Sequence, residues 1–158
     1  MMGLAGAMVA TVLVGAFEKR LESNVLLAFF VPGIVYMADA VGTQTEAVLI
    51  RAMSAGVSVR SILGRELASG LVIGAVIGSA FFAFSLVGWG DVHVALAVGL
   101  ALWASCSIAT LVAVALPALL QRIGLDPAFG SGPISTVVQD ILSIAVYFAL
   151  VVAIVPAG

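Results

Sequence analysis

Residues 124–152 read GLDPAFGSGPISTVVQDILSIAVYFALVV, an apolar run long enough to enter a bilayer with Asp140 inside it. An ionised carboxylate at membrane depth is expensive, and such residues face a bundle interior or a water-filled path, where the default reading is functional. A second acidic stretch precedes it. Asp39, Thr43 and Glu46 stand at i, i+4 and i+7 and share one face of a helix. Carboxylates and hydroxyls along a membrane path suit a hard divalent cation, which takes oxygen ligands. Other chemistries lack their parts. There is one histidine, His93, and one cysteine, Cys106, and neither an HExxH, a CxxC nor a glycine-rich phosphate loop occurs. Asp126 before Pro127 reads as a helix cap. His93 reads as a solvated turn residue and Cys106 as a small core filler.

Composition sets the solvent. Of the 158 residues, 63% are hydrophobic and only 9% charged, against roughly a quarter charged in a soluble domain. The chain is expected to be an all-α integral membrane protein, multi-pass in the plasma membrane. Six basic residues and a net charge of -2 give no patch for nucleic acid. The first apolar segment lacks a basic leader and reads as a retained span.

One domain, 1–158, is expected to hold five transmembrane helices, at about 3–17, 24–50, 67–87, 92–116 and 133–156. Residues 18–22 read as a charged turn. As one helix, residues 24–55 would run roughly 48 Å at ~1.5 Å per residue, beyond a ~30 Å hydrocarbon core. That helix must kink, break or emerge, with Pro32, Gly33 and Gly42 as weak points. Residues 51–66 read as a loop plus a short helix capped by Ser58. Gly70, Gly74 and Gly78 form a small-xxx-small row for close helix packing. Trp89 reads as an interfacial anchor beside a polar turn at 88–93. The fourth span is expected to end at Pro117, and the fifth to bend at 130–133. Arg51, Arg60, Arg65 and Arg122 lie on one side, Lys19 and Arg20 on the other. The positive-inside rule then puts the N-terminus in the cytoplasm and the C-terminus outside.

These residues resemble the transmembrane part of the MgtE family of magnesium channels. Phe30-Val31-Pro32 through Gly42-Thr43-Gln44, with Arg51 behind, is similar to the family's second-helix pattern. Leu125-Asp126-Pro127-Ala128, then Gly132-Pro133, Thr136 and Asp140, is similar to its fifth-helix signature. The resemblance implies a symmetric functional dimer with a cation path on the twofold, lined by spans 2 and 5. It matches Asp140 to a pore aspartate that holds hydrated Mg²⁺, the transported and pore-bound ion. Two departures stand out. The family's Gly-Gly-Asn turn is Met37-Ala38-Asp39 here, which adds a carboxylate. The family's cytosolic N domain and paired CBS domains have no counterpart in these residues, so gating by that route is not expected.

On a twofold axis two Asp140 carboxylates would face one another, and a divalent cation between them would cancel their repulsion. Mg²⁺ sheds water reluctantly, so contact through its waters is expected. Carbonyls near Gly132 and at Thr136 would be further acceptors, with Asp39, Thr43 and Glu46 beside the path. Asp140 would sit about 10 Å into its helix, nearer the cytoplasmic side. The expected partners are membrane lipid, the cation, and a second copy or a similar chain. Two other readings stand beside this one: an ion-coupled exchanger for Mn²⁺, Co²⁺ or Ca²⁺, and a non-transporting scaffold that docks through the glycine row.

Overall fold

The computed structural model describes residues 2–126 and 131–156. Six helices follow in chain order: α1 (Met2–Gly15), α2 (Glu18–Ser23), α3 (Leu26–Ser54), α4 (Val59–Trp89), α5 (Val92–Arg122) and α6 (Ser131–Ile154). Four of them, α3 to α6, are long and apolar enough to cross a membrane. The first expected span is shorter. α1 has 14 residues, about 21 Å at 1.5 Å per residue. The charged stretch behind it is a helix, α2, and not a turn.

α5 is the centre of the bundle. It packs on α3, α4 and α6, and the residues it buries are mostly small, among them Ala97, Gly99, Ala101, Ser105, Cys106 and Ala109. Small side chains let backbones approach where lipid supplies no hydrophobic drive between helices. α4 meets α5 along one row. Its buried residues are Gly70, Gly74, Gly78 and Ser85, while Val72, Val76, Phe84 and Val87 are exposed on the outer face. An apolar outer face suits lipid as the surrounding solvent. The glycine row is therefore spent on packing within the chain.

α3 and α6 run antiparallel. Tyr147 Oη donates to the Leu27 carbonyl at 2.8 Å, and further along α3 Gly42 meets Gln139. α1 runs parallel to α6. Gly6 lies on Val137, Phe17 stacks on Phe148 with centroids 4.3 Å apart, and Arg20 donates to the Val155 carbonyl at 3.4 Å. That guanidinium supplies positive charge where the last carbonyls of α6 lack partners.

Several boundaries differ from those expected. Residues 51–66, expected as a loop plus a short helix, are mostly parts of two long helices. Arg51 lies in the last turn of α3, and α4 already begins at Val59. Only residues 55–58 connect them, with Gly56 in the left-handed region at φ 75°. Ser58 precedes α4 but its side chain makes no cap bond. α3 passes through Pro32 and α5 through Pro117 without a break. Each proline removes one donor, and packing of the flanking turns holds both helices: Phe30 and Ile34 bracket Pro32 in the core, and Pro117 is itself buried. The polar turn at 88–93 shrinks to Gly90 and Asp91. Gly90 takes φ 74°, and Asp91 Oδ1 accepts from the His93 and Val94 N–H groups at 2.9 and 3.1 Å. His93 is thus an exposed first-turn residue of α5. Pro133 sits in the first described turn of α6, where its missing donor would be unpaired anyway. Pro127, Ala128 and Gly130, part of the expected cap and bend, lie outside the described residues.

Candidate functional site

Two rows of residues on α6 face the question of charge in the bilayer. One row, Ser131, Ser135, Gln139, Ser143 and Tyr147, recurs every four residues and is buried throughout. The neighbouring row is Gly132, Thr136 and Asp140. Gly132 is exposed, while Thr136 and Asp140 are half-buried. The buried row ties itself together. Gln139 Nε2 donates to Ser135 Oγ, and Ser143 Oγ donates to the Gln139 carbonyl at 2.7 Å. Gln139 Oε1 and Ser131 Oγ find no partner among the described residues.

α3 reaches this helix through a glycine. A Cβ built on Gly42 would overlap the Gln139 carboxamide, so only glycine lets the two backbones come this close. One turn before Gly42 stands Asp39, and one residue after Gln139 stands Asp140. The consequence is that the Asp39 and Asp140 carboxylates interact electrostatically. Both are half-buried. Neither has an ion pair or hydrogen bond within the described chain, and Asp39 Oδ1 is shielded from solvent without a partner. Two unpaired like charges in a low-dielectric setting repel strongly, and a cation relieves both at once.

The polar row expected on α3 is divided. Thr43 is exposed, Asp39 half-buried and Glu46 only 6% exposed. At 100° per residue these three span an arc of about 60°, and the border between the packed and open faces of α3 falls inside that arc. Glu46 is not paired with Arg51; both lie within α3, and the described residues hold no carboxylate–arginine bridge. Gln44 is exposed beside Thr43. The structure therefore brings Asp39 within electrostatic reach of Asp140, keeps Thr43, Thr136 and Gly132 on less buried rows, and turns Glu46 inward. No group of three or more His, Cys, Asp or Glu residues gathers among the described residues. One chain thus offers two carboxylates, too few for a closed cage, which suits an ion that keeps part of its water shell.

The buried serine–glutamine row was not singled out from the sequence. Its signal was present as polar residues at a strict four-residue spacing within an apolar span.

Comparison with known proteins places the chain in a family. Residues 31–150 match the family model MgtE, described as a divalent cation transporter. That stretch holds every acidic and hydroxyl residue of the site. Over 147 residues the chain is 30% identical to the magnesium transporter MgtE of Bacillus subtilis (strain 168), a match that takes in 90% of this chain and 33% of that protein. The chain thus spans about a third of that relative's length. With the match running from within α3 to within α6 and covering both sides of the acidic pair, the chain belongs to the MgtE family of divalent cation transporters, multi-pass membrane proteins and not enzymes.

Proposed function

We propose that this chain passes divalent cations, Mg²⁺ foremost, through a membrane path lined by α3 and α6 at a twofold contact between two copies. The observation that carries the reading is that Asp39 and Asp140, both unpaired, flank the Gly42–Gln139 contact within electrostatic reach of one another. Two copies bring four carboxylates to one axis. A divalent ion there neutralises charge that lipid would not tolerate. Mg²⁺ keeps most of its waters, so Asp140 holds it through them, and Thr136 and the backbone at Gly132 accept from the same shell. Thr43 lies on the open side of α3 and belongs to the lining. Glu46 lies deeper in the protomer, at the edge of the path. The relative's name, a magnesium transporter, supports Mg²⁺ as the ion.

α1 and α2 together run alongside α6 from Gly6 at Val137 to Arg20 at Val155. That course supports a fifth crossing, with the N-terminus on the side of Arg51, Arg60, Arg65 and Arg122. By the positive-inside rule that side is the cytoplasm.

The paired carboxylates also suit a proton-coupled exchanger, because two close acids can trade a proton for a cation. The deciding experiment is Mg²⁺ flux into vesicles containing the purified protein, with Asp140→Asn alongside. Loss of flux with the dimer intact supports the pore, and unchanged flux removes Asp140 from it. Flux that follows the membrane potential alone identifies a channel, whereas a required proton counter-flux identifies the exchanger.

A further inference from the structure

A cleft of about 580 Å³ opens between the first turns of α4 and the last turns of α5. Its lining has two chemistries. Arg60, Arg122 and Gln121 stand at one end, and Leu63, Leu111 and Leu119 form the wall that leads away from them. Both arginines are exposed, and neither has an ion pair or hydrogen bond within the described chain. Leu111 and Leu119 are more than half exposed, so the wall also lacks a cover.

Position fixes what can fill it. α5 has 31 residues, about 46 Å at 1.5 Å per residue, against a hydrocarbon core of ~30 Å. Its final turn, with Gln121 and Arg122, therefore stands at headgroup level, while Leu111, three turns back, lies among acyl chains. α4 enters at the same level, and its first N–H groups have no helical partner. From headgroup to hydrocarbon the cleft runs from cationic donors to bare leucine.

We infer that this cleft is a binding site for one anionic phospholipid. The phosphate and its headgroup lie between the Arg60 and Arg122 guanidiniums, which bind phosphate oxygens in a planar fork, and an acyl chain lies along Leu63, Leu111 and Leu119. Basic pockets between membrane helices hold acidic headgroups by this combination of charge and apolar depth. A free phosphate would satisfy only the arginines, and a neutral lipid only the leucines. The cleft is lined by α4 and α5 residues, and it does not depend on the transport reading.

The test uses the purified full chain in detergent, titrated with phosphatidylglycerol or phosphatidylcholine and read by native mass spectrometry and thermal unfolding. Phosphatidylglycerol is expected to remain bound and raise the melting temperature, and phosphatidylcholine to do neither. Arg60→Gln with Arg122→Gln is expected to weaken the bound phosphatidylglycerol about thirtyfold, from roughly fivefold for each basic group near the surface. Arg60→Lys with Arg122→Lys keeps most of the binding, and Arg65→Gln, an exposed arginine outside the cleft, keeps all of it. Leu111→Trp fills the apolar wall and abolishes the thermal shift with both arginines in place. Equal stabilisation by phosphatidylcholine, an undiminished shift in the double glutamine variant, or the same shift from inorganic phosphate alone would overturn the inference. So would a change in subunit number in the double variant, which would mean that a second copy fills the cleft.

Discussion

Gly42 on α3 lies directly against the Gln139 carboxamide on α6, with no space between them for a methyl group. Gln139 cannot simply swing aside: it is 2% exposed and its amide is held by Ser135. Gly42→Ala is therefore expected to push α6 from α3 and to destabilise the fold by about 1–3 kcal/mol, as overpacking of a filled contact does. Thermal unfolding in detergent measures it. Because Asp39 and Asp140 flank this contact, the same variant should lose cation flux out of proportion to its stability.

The glycine row on α4 should respond unequally to alanine. A methyl at Gly78 meets the Gly99 carbonyl, and one at Gly74 would lie 2.9 Å from the Trp103 carbonyl oxygen. Backbone cannot yield without moving the helix. A methyl at Gly70 meets the Thr110 side chain first. Gly78→Ala is thus expected to lower the melting temperature more than Gly70→Ala. Adding Thr110→Ala removes the nearest atom, Oγ1, but leaves the Thr110 Cβ 2.7 Å away, so it should restore the Gly70 variant in part and leave the Gly78 variant unchanged. The pair of double variants separates a side-chain clash from a backbone one.

The Tyr147 hydroxyl is a cross-helix hydrogen bond in an otherwise apolar layer, donated to Leu27 across 120 positions of sequence. Tyr147→Phe keeps the ring packed beside Phe148 and removes only the hydroxyl. Bonds of this kind between membrane helices average about 0.6 kcal/mol. A small fall in melting temperature with unchanged flux is the expected result. A fall of several times that size would mean the bond fixes the register of α3 against α6.

Much of the membrane architecture was legible in the sequence because its solvent dictates it. Apolar length located α3 to α6, and a four-residue glycine period marked one face of α4 for close helix packing without naming its neighbour. Helix ends were less legible. Pro117 and the 51–66 segment carry ordinary stop or loop signals, yet α5 runs past the one and α3 and α4 take up most of the other, since packing outweighs local preference. Asp140 stood out because a charge in an apolar run has few explanations. Gln139 beside it did not, because a neutral amide in a span raises no such alarm. Its importance comes from Gly42, nearly a hundred residues away, and no local pattern connects the two. Glu46 shows the opposite limit. Helical spacing placed it on a face with Asp39 and Thr43, but which part of that face is covered depends on where α5 and α6 lie.

Asp39 gives the sharpest functional test. Its carboxylate lies within electrostatic reach of Asp140 and Oδ1 has no partner among the described residues. In the proposed path each protomer then presents two acids, and a passing divalent ion meets more negative charge than a single aspartate supplies. Asp39→Asn removes that charge with little change of shape. The expected outcome is retained flux with a half-saturating Mg²⁺ concentration raised on the order of tenfold, equivalent to about 1.4 kcal/mol of binding. Competition by other divalent ions should change as well, since ions that shed water more readily gain most from a second carboxylate. Asp39→Asn combined with Asp140→Asn should abolish flux. If Asp39→Asn leaves both saturation and competition untouched, its carboxylate stands outside the route of the ion, and the Asp140 residues alone must hold the passing charge.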